Sequence, residues 1–324
     1  MKVLILGATG HVGSRLHNQL QQHNITSIAA SRGRMRSDLS NHVILDSMNL
    51  SDLTKQLQNV DAVVNCVAGS KDSIGTGAQI LTQAALAAGK PLIVHLSTMS
   101  VYGASEGVIN ETSPFDPDYN WYAAAKVEAE NHMQAYAHAG GKVVVFRPGC
   151  IHGPGSTQWV ERISNLLGNF RLGDLGDAGD GWSNLVHVDD VVNAIQLGIN
   201  LPLREGEIQH YNLAAPDSPR WNQYFIDLGQ AIDATPVKRI HPTQLKLDSK
   251  AFSPCVKIGQ KLLEKVGKAN LARHLPEPLP PSLVRLFKQH IFLDVQKISS
   301  IGFTFTPYQE SLCDCVAWFK HEQH

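Results

Sequence analysis

Tyr122 and Lys126 have the spacing and the side-chain types of an acid–base pair. They stand at the two ends of the stretch Tyr-Ala-Ala-Ala-Lys, near the start of a predicted helix, so both side chains share one face. A phenol with an ordinary pKa of about 10 is a poor proton-transfer catalyst at neutral pH. A neighbouring ammonium stabilises the phenolate, so we expect Lys126 to lower the pKa of Tyr122 and allow proton exchange with a substrate oxygen.

A hydroxyl-rich stretch precedes this pair. Ser97, Thr98 and Ser100 follow the end of a predicted strand. At the carboxyl edge of a parallel sheet, such a hydroxyl points into the crevice where ligands bind and can hydrogen-bond a reacting oxygen. Capping of the turn is the alternative role for Ser97 or Ser100, although it does not explain the whole set.

Residues 7–13 read Gly-Ala-Thr-Gly-His-Val-Gly, directly after a strand and before a helix. Gly7 permits the tight turn, Gly10 lets the backbone approach a pyrophosphate, and Gly13 lets the helix pack close to the strand. A chance cluster of glycines in a turn is the alternative, but the position after the first strand favours a dinucleotide site. The residues predicted to line it here are Gly7, Thr9, Gly10, His11, Val12 and Gly13.

The end of the second predicted strand bears on the choice of dinucleotide. A carboxylate there would bind a ribose 2′-hydroxyl, whereas this chain has Ser31, Arg32 and Arg34. Hydroxyl and guanidinium groups suit the 2′-phosphate of NADP. The sequence therefore favours NADP, with NAD possible and with arginines that are merely solvated as the alternative.

The chain alternates continuous apolar runs with helical patterns over its first two hundred residues. This alternation predicts an α/β fold with a doubly wound, parallel Rossmann sheet. We assign 1–149 and 186–215 to the dinucleotide-binding domain, and 150–185 and 216–324 to a smaller substrate-binding lobe. The predicted strands are Val3–Leu6, Ile25–Ala30, Val43–Leu45, Ala62–Val67, Leu92–Leu96 and Val143–Phe146, and the predicted helices are Val12–His23, Leu50–Gln58, Gly77–Ala88 and Tyr122–Ala139.

Composition limits the class of protein. The 324 residues carry a formal net charge of −1, which shows no bias toward nucleic acid. The chain opens with a strand rather than a signal sequence, and no apolar run reaches the roughly 20 residues of a membrane-spanning helix. The 5 cysteines and 15 histidines show no metal-ligand spacing, so we expect free thiols, no metal and a cytoplasmic protein.

The segment from Lys238 to Lys297 is basic, with 12 Lys and Arg against 4 Asp and Glu. Within it, Lys257, Lys261, Lys265 and Lys268 fall on one helical face. This face could bind an acidic carrier protein, a phosphorylated substrate or anionic lipid, and a merely solvated lysine face is the alternative.

The motifs together resemble the extended short-chain dehydrogenase/reductases, which include the NAD-dependent epimerase/dehydratases. The resemblance rests on GATGHVG, STMSVYG, YAAAK, RPGCIHGP and VHVDDVV in order, with IGFTFTP near the end. It implies that Thr98 is the active-site hydroxyl, Tyr122 the general acid/base, and Lys126 its partner and a ribose ligand. It also implies cofactor contacts from Asp46, Ala68 and Pro148, and a homodimer.

Two departures from that family bear on the substrate. Cys150 stands where many nucleotide-sugar enzymes carry an asparagine, and residues 71–74 also lack an asparagine. The C-terminal pattern is similar to that of hydroxysteroid dehydrogenases and dihydroflavonol reductases. We therefore expect an NAD(P)-dependent oxidoreductase acting on a ketone or secondary alcohol of a small, largely apolar substrate. The alternatives are a nucleotide-sugar epimerase or dehydratase with tightly bound NAD, and a non-catalytic dinucleotide-binding regulator.

Overall fold

The computed structural model describes residues 1–33, 40–272 and 275–322 of the chain. The chain divides into two compact units. The first comprises Met1–Ile151, Val186–Pro216 and Leu293–Phe305; the second comprises His152–Leu185, Asp217–Phe292 and Thr306–His324. The segment Leu293–Phe305 thus belongs to the first unit, whereas the sequence analysis assigned it to the substrate lobe.

The secondary structure alternates strands and helices through the first unit and is mainly helical in the second. The strands are β1 (Lys2–Leu6), β2 (Thr26–Ser31), β3 (His42–Ile44), β4 (Ala62–Asn65), β5 (Leu92–Leu96), β6 (Gly107–Ile109), β7 (Val143–Pro148), β8 (Cys150–His152), β9 (Leu185–His187), β10 (Ile208–Leu213) and β11 (Ile291–Leu293). The helices are α1 (His11–Gln22), α2 (Leu50–Leu57), α3 (Lys71–Ala87), α4 (Trp121–His138), α5 (Arg162–Gly168), α6 (Val188–Ile199), α7 (Trp221–Ala231), α8 (Pro242–Leu247), α9 (Ser253–Lys265), α10 (Ala269–Ala272), α11 (Pro281–Lys288), α12 (Gln296–Ser299) and α13 (Tyr308–Glu322). No helix in the described ranges is both long and apolar enough to cross a membrane.

The first unit is built on a parallel sheet. In the described residues it has seven strands in the order β10-β7-β5-β4-β1-β2-β3. Val3 of β1 lies opposite Ser27 on one side and Ala62 on the other. The chain therefore winds outward from β1 in both directions, and this switch point creates a crevice at the carboxyl edge of the strands. The predicted doubly wound α/β fold is confirmed.

The strands of this sheet are continuously apolar because helices cover both faces. Val3, Leu4 and Ile5 of β1 are fully buried, as is every residue of Val143–Phe146 in β7. Small residues of α4, such as Ala129, pack in the same core and allow the helix to approach the strands closely. Each fully buried aliphatic side chain contributes about 1.5–3 kcal/mol of transfer free energy.

Two of the differences from the sequence prediction affect the sheet and the cavity at its edge. Helix α3 begins at Lys71 rather than Gly77, because the Ser70 hydroxyl caps it by accepting the Ser73 N–H at 3.2 Å. Strand β10 was not predicted, since polar residues interrupt its apolar ones. It lies at the edge of the sheet and pairs only with β7 among the described strands, a position that tolerates such a sequence.

The second unit has an aromatic core. Trp221 is fully buried, and its ring centre lies 4.8 Å from that of Phe287 and 5.7 Å from that of Phe225. Phe287 comes from α11, where Leu283 is also buried. These contacts between α7 and α11 fix the proline-rich segment that leads into α11.

Candidate active site and dinucleotide cavity

The glycine-rich turn between β1 and α1 has no room for side chains. Gly7 has a φ of +77°, and a Cβ there would lie 2.9 Å from the carbonyl oxygen of Cys66. A Cβ at Gly13 would overlap the backbone of Gly7 and Ala8. Gly13 therefore serves helix–strand packing, and Gly7 serves the turn itself, as the spacing predicted.

A cavity of about 240 Å³ opens beside this turn, at the carboxyl edge of β1, β2 and β4. It is lined by Leu6, Gly7, Thr9, Gly10, Ala30, Ser31, Arg32, Leu45, Ser47, Met48, Cys66, Val67, Ala68 and Ser73. Among the described residues, no side chain caps the N-terminus of α1, whose first turn begins at Gly10. A small glycine cradle at an uncapped helix N-terminus accommodates an anionic pyrophosphate, so the cavity fits one end of a dinucleotide.

Six of the predicted cofactor residues line this cavity: Gly7, Thr9, Gly10, Ser31, Arg32 and Ala68. The other predicted cofactor residues that the structure describes do not line the cavity. Val12 is buried, and the Asp46 carboxylate accepts the Met48 N–H at 3.0 Å. His11, Gly13, Lys126 and Pro148 are likewise outside the cavity lining. Arg34 lies outside the described residues.

Sequence reasoning missed several lining residues. Cys66 and Val67 directly follow β4, the strand that neighbours β1, and that position was the available signal. Ser47 and Met48 directly follow the predicted Asp46, on the loop between β3 and α2. Ser73 reaches the cavity because α3 begins six residues earlier than predicted.

Thr98 and Tyr122 lie near each other, since the Thr98 hydroxyl is close enough to lower the pKa of the Tyr122 phenol. Asn120 begins α4 by accepting the N–H groups of Tyr122 and Ala123, each at 2.9 Å, and so fixes Tyr122 in the first turn. Thr98 follows β5 and begins a short helical turn, with its hydroxyl accepting the Ser100 N–H at 3.2 Å. The structure thus brings the predicted hydroxyl and phenol together.

The expected pKa of Tyr122 was wrong in direction. Burial raises the pKa of the phenol above its usual value, and the Thr98 hydroxyl opposes this by stabilising the phenolate. The Lys126 ammonium lies 6.0 Å from the centre of the Tyr122 ring. Desolvation of the phenol is the largest influence on its pKa and outweighs the opposing effect of Thr98. The Tyr122 phenol is therefore neutral at pH 7.

Lys126 is almost fully buried and has its own hydrogen-bond partner. Its Nζ donates to the carbonyl oxygen of Leu96 at 2.7 Å. Burial lowers the pKa of Lys126 to about 8, although nearby Cys66 and Glu130 favour the charged form. The amine is still mainly protonated at pH 7 and places a positive charge beside Tyr122.

A buried ion pair lies one helical turn beyond Lys126. Glu130 accepts two hydrogen bonds from Arg147 of β7, at 2.7 Å from Nη2 and 3.0 Å from Nε. The same carboxylate accepts the Ser97 hydroxyl at 2.5 Å, and Ser97 immediately precedes Thr98. Glu130 and Arg147 are at most 3% exposed. This carboxylate therefore ties the strand end that carries Thr98 to the helix that carries Tyr122 and Lys126.

Arg147 extends the network to the outer edge of the sheet. Its Nη1 donates to the Tyr102 hydroxyl at 2.9 Å, and Tyr102 donates to Asn212 Oδ1 at 2.7 Å. The Asn212 amide donates in turn to the carbonyl oxygens of Ile109 and Asp294. Strand β10 is thereby connected through buried polar groups to the strand behind the Thr98–Tyr122 pair.

Family comparison agrees with this geometry. Residues 3–214 match the family model described as the NAD dependent epimerase/dehydratase family. The chain belongs to this family. The match covers the glycine turn, the Thr98–Tyr122 pair and Arg147, so the resemblance predicted from the motifs is confirmed.

Two relatives from different bacteria resemble this chain over part of its length. The chain is 29% identical over 191 residues to protein YeeZ of Escherichia coli K12, covering 57% of this chain and 64% of YeeZ. It is 30% identical over 218 residues to a 2-alkyl-3-oxoalkanoate reductase of Stenotrophomonas maltophilia, covering 60% of this chain and 63% of the reductase. The chain thus spans less than two thirds of either relative.

Solved structures share the fold over the whole chain. UDP-glucose 4-epimerase of Thermotoga maritima, solved with UDP-glucose, superposes with a TM-score of 0.75 at 17% identity and covers 100% of both chains. The structure of MoeE5 with UDP-glucuronic acid and NAD superposes with a TM-score of 0.73 at 21% identity, covering 99% of this chain and 100% of MoeE5. At such identities the likeness establishes the fold alone.

Proposed function

We propose that the protein is an NADP-preferring ketone reductase or secondary-alcohol dehydrogenase that acts on a small, largely apolar substrate. The observation that carries this proposal is the proximity of the Thr98 hydroxyl to the Tyr122 phenol, with the buried Lys126 ammonium 6.0 Å from the centre of the Tyr122 ring. A neutral phenol next to a second hydroxyl can donate a proton to a carbonyl oxygen as that oxygen gains charge. The raised pKa of Tyr122 keeps the phenol protonated at pH 7, which is the state that a proton donor in a carbonyl reduction needs.

The dinucleotide would be held by the turn and the strand ends around the cavity. Gly7, Thr9 and Gly10 would take the pyrophosphate, and Ser31 and Arg32 would take the 2′-phosphate of the adenosine ribose. When bound, the nicotinamide supplies or accepts the hydride.

The chain's own residues act on the substrate oxygen. Tyr122 donates its proton there, and the Thr98 hydroxyl holds the oxygen by a hydrogen bond. Lys126 keeps a positive charge near the phenol, which stabilises the phenolate left after transfer. Its hydrogen bond to Leu96 holds the ammonium in place from the strand that ends before Thr98.

The apolar character of the substrate is supported at Cys150. This residue is 2% exposed, and burial raises the pKa of its thiol, so it presents neither a charge nor an amide to a sugar diphosphate. The S. maltophilia relative is a reductase of oxoalkanoates by name, which is the reaction class proposed.

The second candidate is a nucleotide-sugar epimerase with tightly bound NAD, supported by the chain's membership of the epimerase/dehydratase family. Purified protein incubated with NADPH and a panel of aliphatic ketones distinguishes the two. Net loss of reduced-nicotinamide absorbance, dependent on ketone, supports the reductase. If NAD copurifies with the protein and UDP-sugars are interconverted without net oxidation of coenzyme, the protein is an epimerase and the reductase proposal is wrong.

The third hypothesis is a non-catalytic regulator that binds a dinucleotide. Under this hypothesis NADPH binds, but neither ketones nor UDP-sugars are converted. A Tyr122→Phe variant that keeps full cellular function would favour this hypothesis.

A further inference from the structure

Helix α9 exposes aliphatic side chains that helices of globular proteins normally bury. Ile258, Leu262 and Val266 are 60%, 58% and 66% exposed. Their spacing of four residues places them in one strip, which runs along α9 to its C-terminal cap. Ser253 and Val256, on another face, are buried. The helix is therefore packed on one side and presents an apolar strip on a different side.

This strip belongs to a firmly held segment. The Ser253 hydroxyl accepts the Leu279 N–H at 2.7 Å, and Asp248 forms an ion pair with Arg171 at 2.6 Å. Both contacts are buried or nearly so and fix the start of α9. The exposure of the strip is thus a property of the packed helix.

The apolar surface continues beyond α9 into an open groove of about 700 Å³. Leu247, Phe252 and Cys255 line it, and Leu247 and Phe252 are 63% and 46% exposed. Of the fourteen large hydrophobic side chains that are exposed in the described part of the chain, six lie between residues 247 and 271. Hydrophobic exposure is concentrated here, and such concentration marks an interaction surface.

A row of lysines accompanies the strip. Lys257, Lys261 and Lys265 each precede a strip residue, so they form a parallel row about 100° around the helix. All three are exposed, and none makes an ion pair with a described acidic residue. Lys246 and Lys250 add two more exposed cations beside the groove. Positive charge thus lies along the edge of the apolar surface.

We propose that α9 and the adjoining groove dock the protein on an anionic lipid bilayer. A bilayer surface satisfies both features at once, because acyl chains take up the aliphatic strip and anionic headgroups neutralise the lysines. Lysine stems can lie along the apolar surface while their ammonium groups reach the headgroups. An acidic protein would need a complementary apolar groove as well as its charge, and a phosphorylated small molecule would not cover the strip. This docking does not depend on the proposed reductase activity.

Cosedimentation of the full chain with vesicles tests the proposal. We expect binding to vesicles of equal parts phosphatidylcholine and phosphatidylglycerol, little binding to phosphatidylcholine alone, and release by high salt. The double variants Lys261→Glu with Lys265→Glu, and Ile258→Ser with Leu262→Ser, should each weaken binding at least about tenfold. Lys71→Glu and Leu86→Ser, exposed positions on α3, are the matched controls and should bind as the unaltered protein does.

Circular dichroism and activity toward a water-soluble ketone show whether each variant remains folded. Unchanged activity with lost vesicle binding supports the docking surface independently of the catalytic proposal. The inference is overturned if the full chain binds no vesicles, binds neutral vesicles equally well, or loses no affinity in either α9 variant. Binding of a purified acidic protein through these residues, without binding to vesicles, would assign the surface to a protein partner instead.

Discussion

Glu130 forms a buried, two-point ion pair with Arg147 and accepts the Ser97 hydroxyl at 2.5 Å. A buried carboxylate that loses its charge leaves its guanidinium partner uncompensated, at a cost of several kcal/mol. The pair joins α4, β5 and β7 directly behind the Thr98–Tyr122 pair. Its integrity should therefore govern both stability and the geometry of the site.

The change Glu130→Gln should lower the free energy of unfolding by about 3 kcal/mol, because Arg147 remains buried and charged. Thermal and urea unfolding measure the effect. Asp233→Asn, which breaks the exposed pair between Asp233 and Lys320, is the control and should change stability by less than about 1 kcal/mol. Equal effects of the two changes would refute the importance of the buried pair. The double change Glu130→Gln with Arg147→Met should recover part of the loss.

Tyr122→Phe should lower kcat by about 10² to 10⁴-fold, because the proton donor is removed while the ring still packs. NADPH affinity, measured by fluorescence titration, should remain unchanged. Tyr119→Phe is the matched control, since Tyr119 is a nearby tyrosine on the loop before α4. Retention of turnover by Tyr122→Phe would eliminate the phenol as the acid.

Arg32→Ala should weaken NADPH binding about tenfold and leave NADH binding nearly unchanged, because a charge-assisted hydrogen bond to the 2′-phosphate is lost. Arg32→Lys keeps the positive charge and should lose less NADPH affinity than Arg32→Ala. Isothermal titration with both coenzymes gives the comparison. If the affinities for NADPH and NADH fall equally, Arg32 does not bind the 2′-phosphate.

Lys126 should make stability depend on pH in an unusual direction. Its pKa falls from the usual 10.5 to about 8 on folding. Between these values the unfolded chain holds a proton that the native chain has lost, so stability from this residue rises with pH. Relative to Lys126→Met, the gain should approach about 3 kcal/mol across that window. Urea unfolding at several pH values measures it, and parallel curves for the two proteins would contradict the lowered pKa.

Cysteine alkylation should report on the dinucleotide cavity. Cys255 and Cys313 are exposed and should react with iodoacetamide quickly. Cys66 lines the cavity, and burial raises the pKa of its thiol to about 12, so it should react slowly. Saturating NADPH should slow the alkylation of Cys66 further and leave that of Cys255 unchanged. Mass spectrometry of peptides follows both rates. Equal rates at Cys66 with and without NADPH would place the dinucleotide elsewhere.

The sequence was sufficient to predict the parallel sheet, since strands covered on both faces are continuously apolar. It also predicted the glycine turn, because only glycine fits where a Cβ would meet the Cys66 carbonyl. Strand β10 was missed because an edge strand need not be apolar throughout. The first turns of α3 were missed because their polar residues hid the cap at Ser70.

The sequence predicted which residues lie together at the site better than it predicted their pKa values. Thr98 and Tyr122 meet as expected, but the sequence reveals a neighbouring charge more readily than it reveals burial, and burial decided the pKa of Tyr122. Glu130 was visible four residues after Lys126 on the same helical face. Its partner Arg147 comes from another strand, and only the folded chain brings the two together.

The chain passes between its two units five times, at residues 151/152, 185/186, 216/217, 292/293 and 305/306. A deletion variant that ends near Pro216 would retain the stretch matched by the family model. It would nevertheless lose Asp294, whose carbonyl accepts the Asn212 amide, and would leave His152–Leu185 without the rest of its unit. Because each unit is assembled from three separate stretches of the chain, a fragment that ends near Pro216 should not fold as a self-sufficient domain.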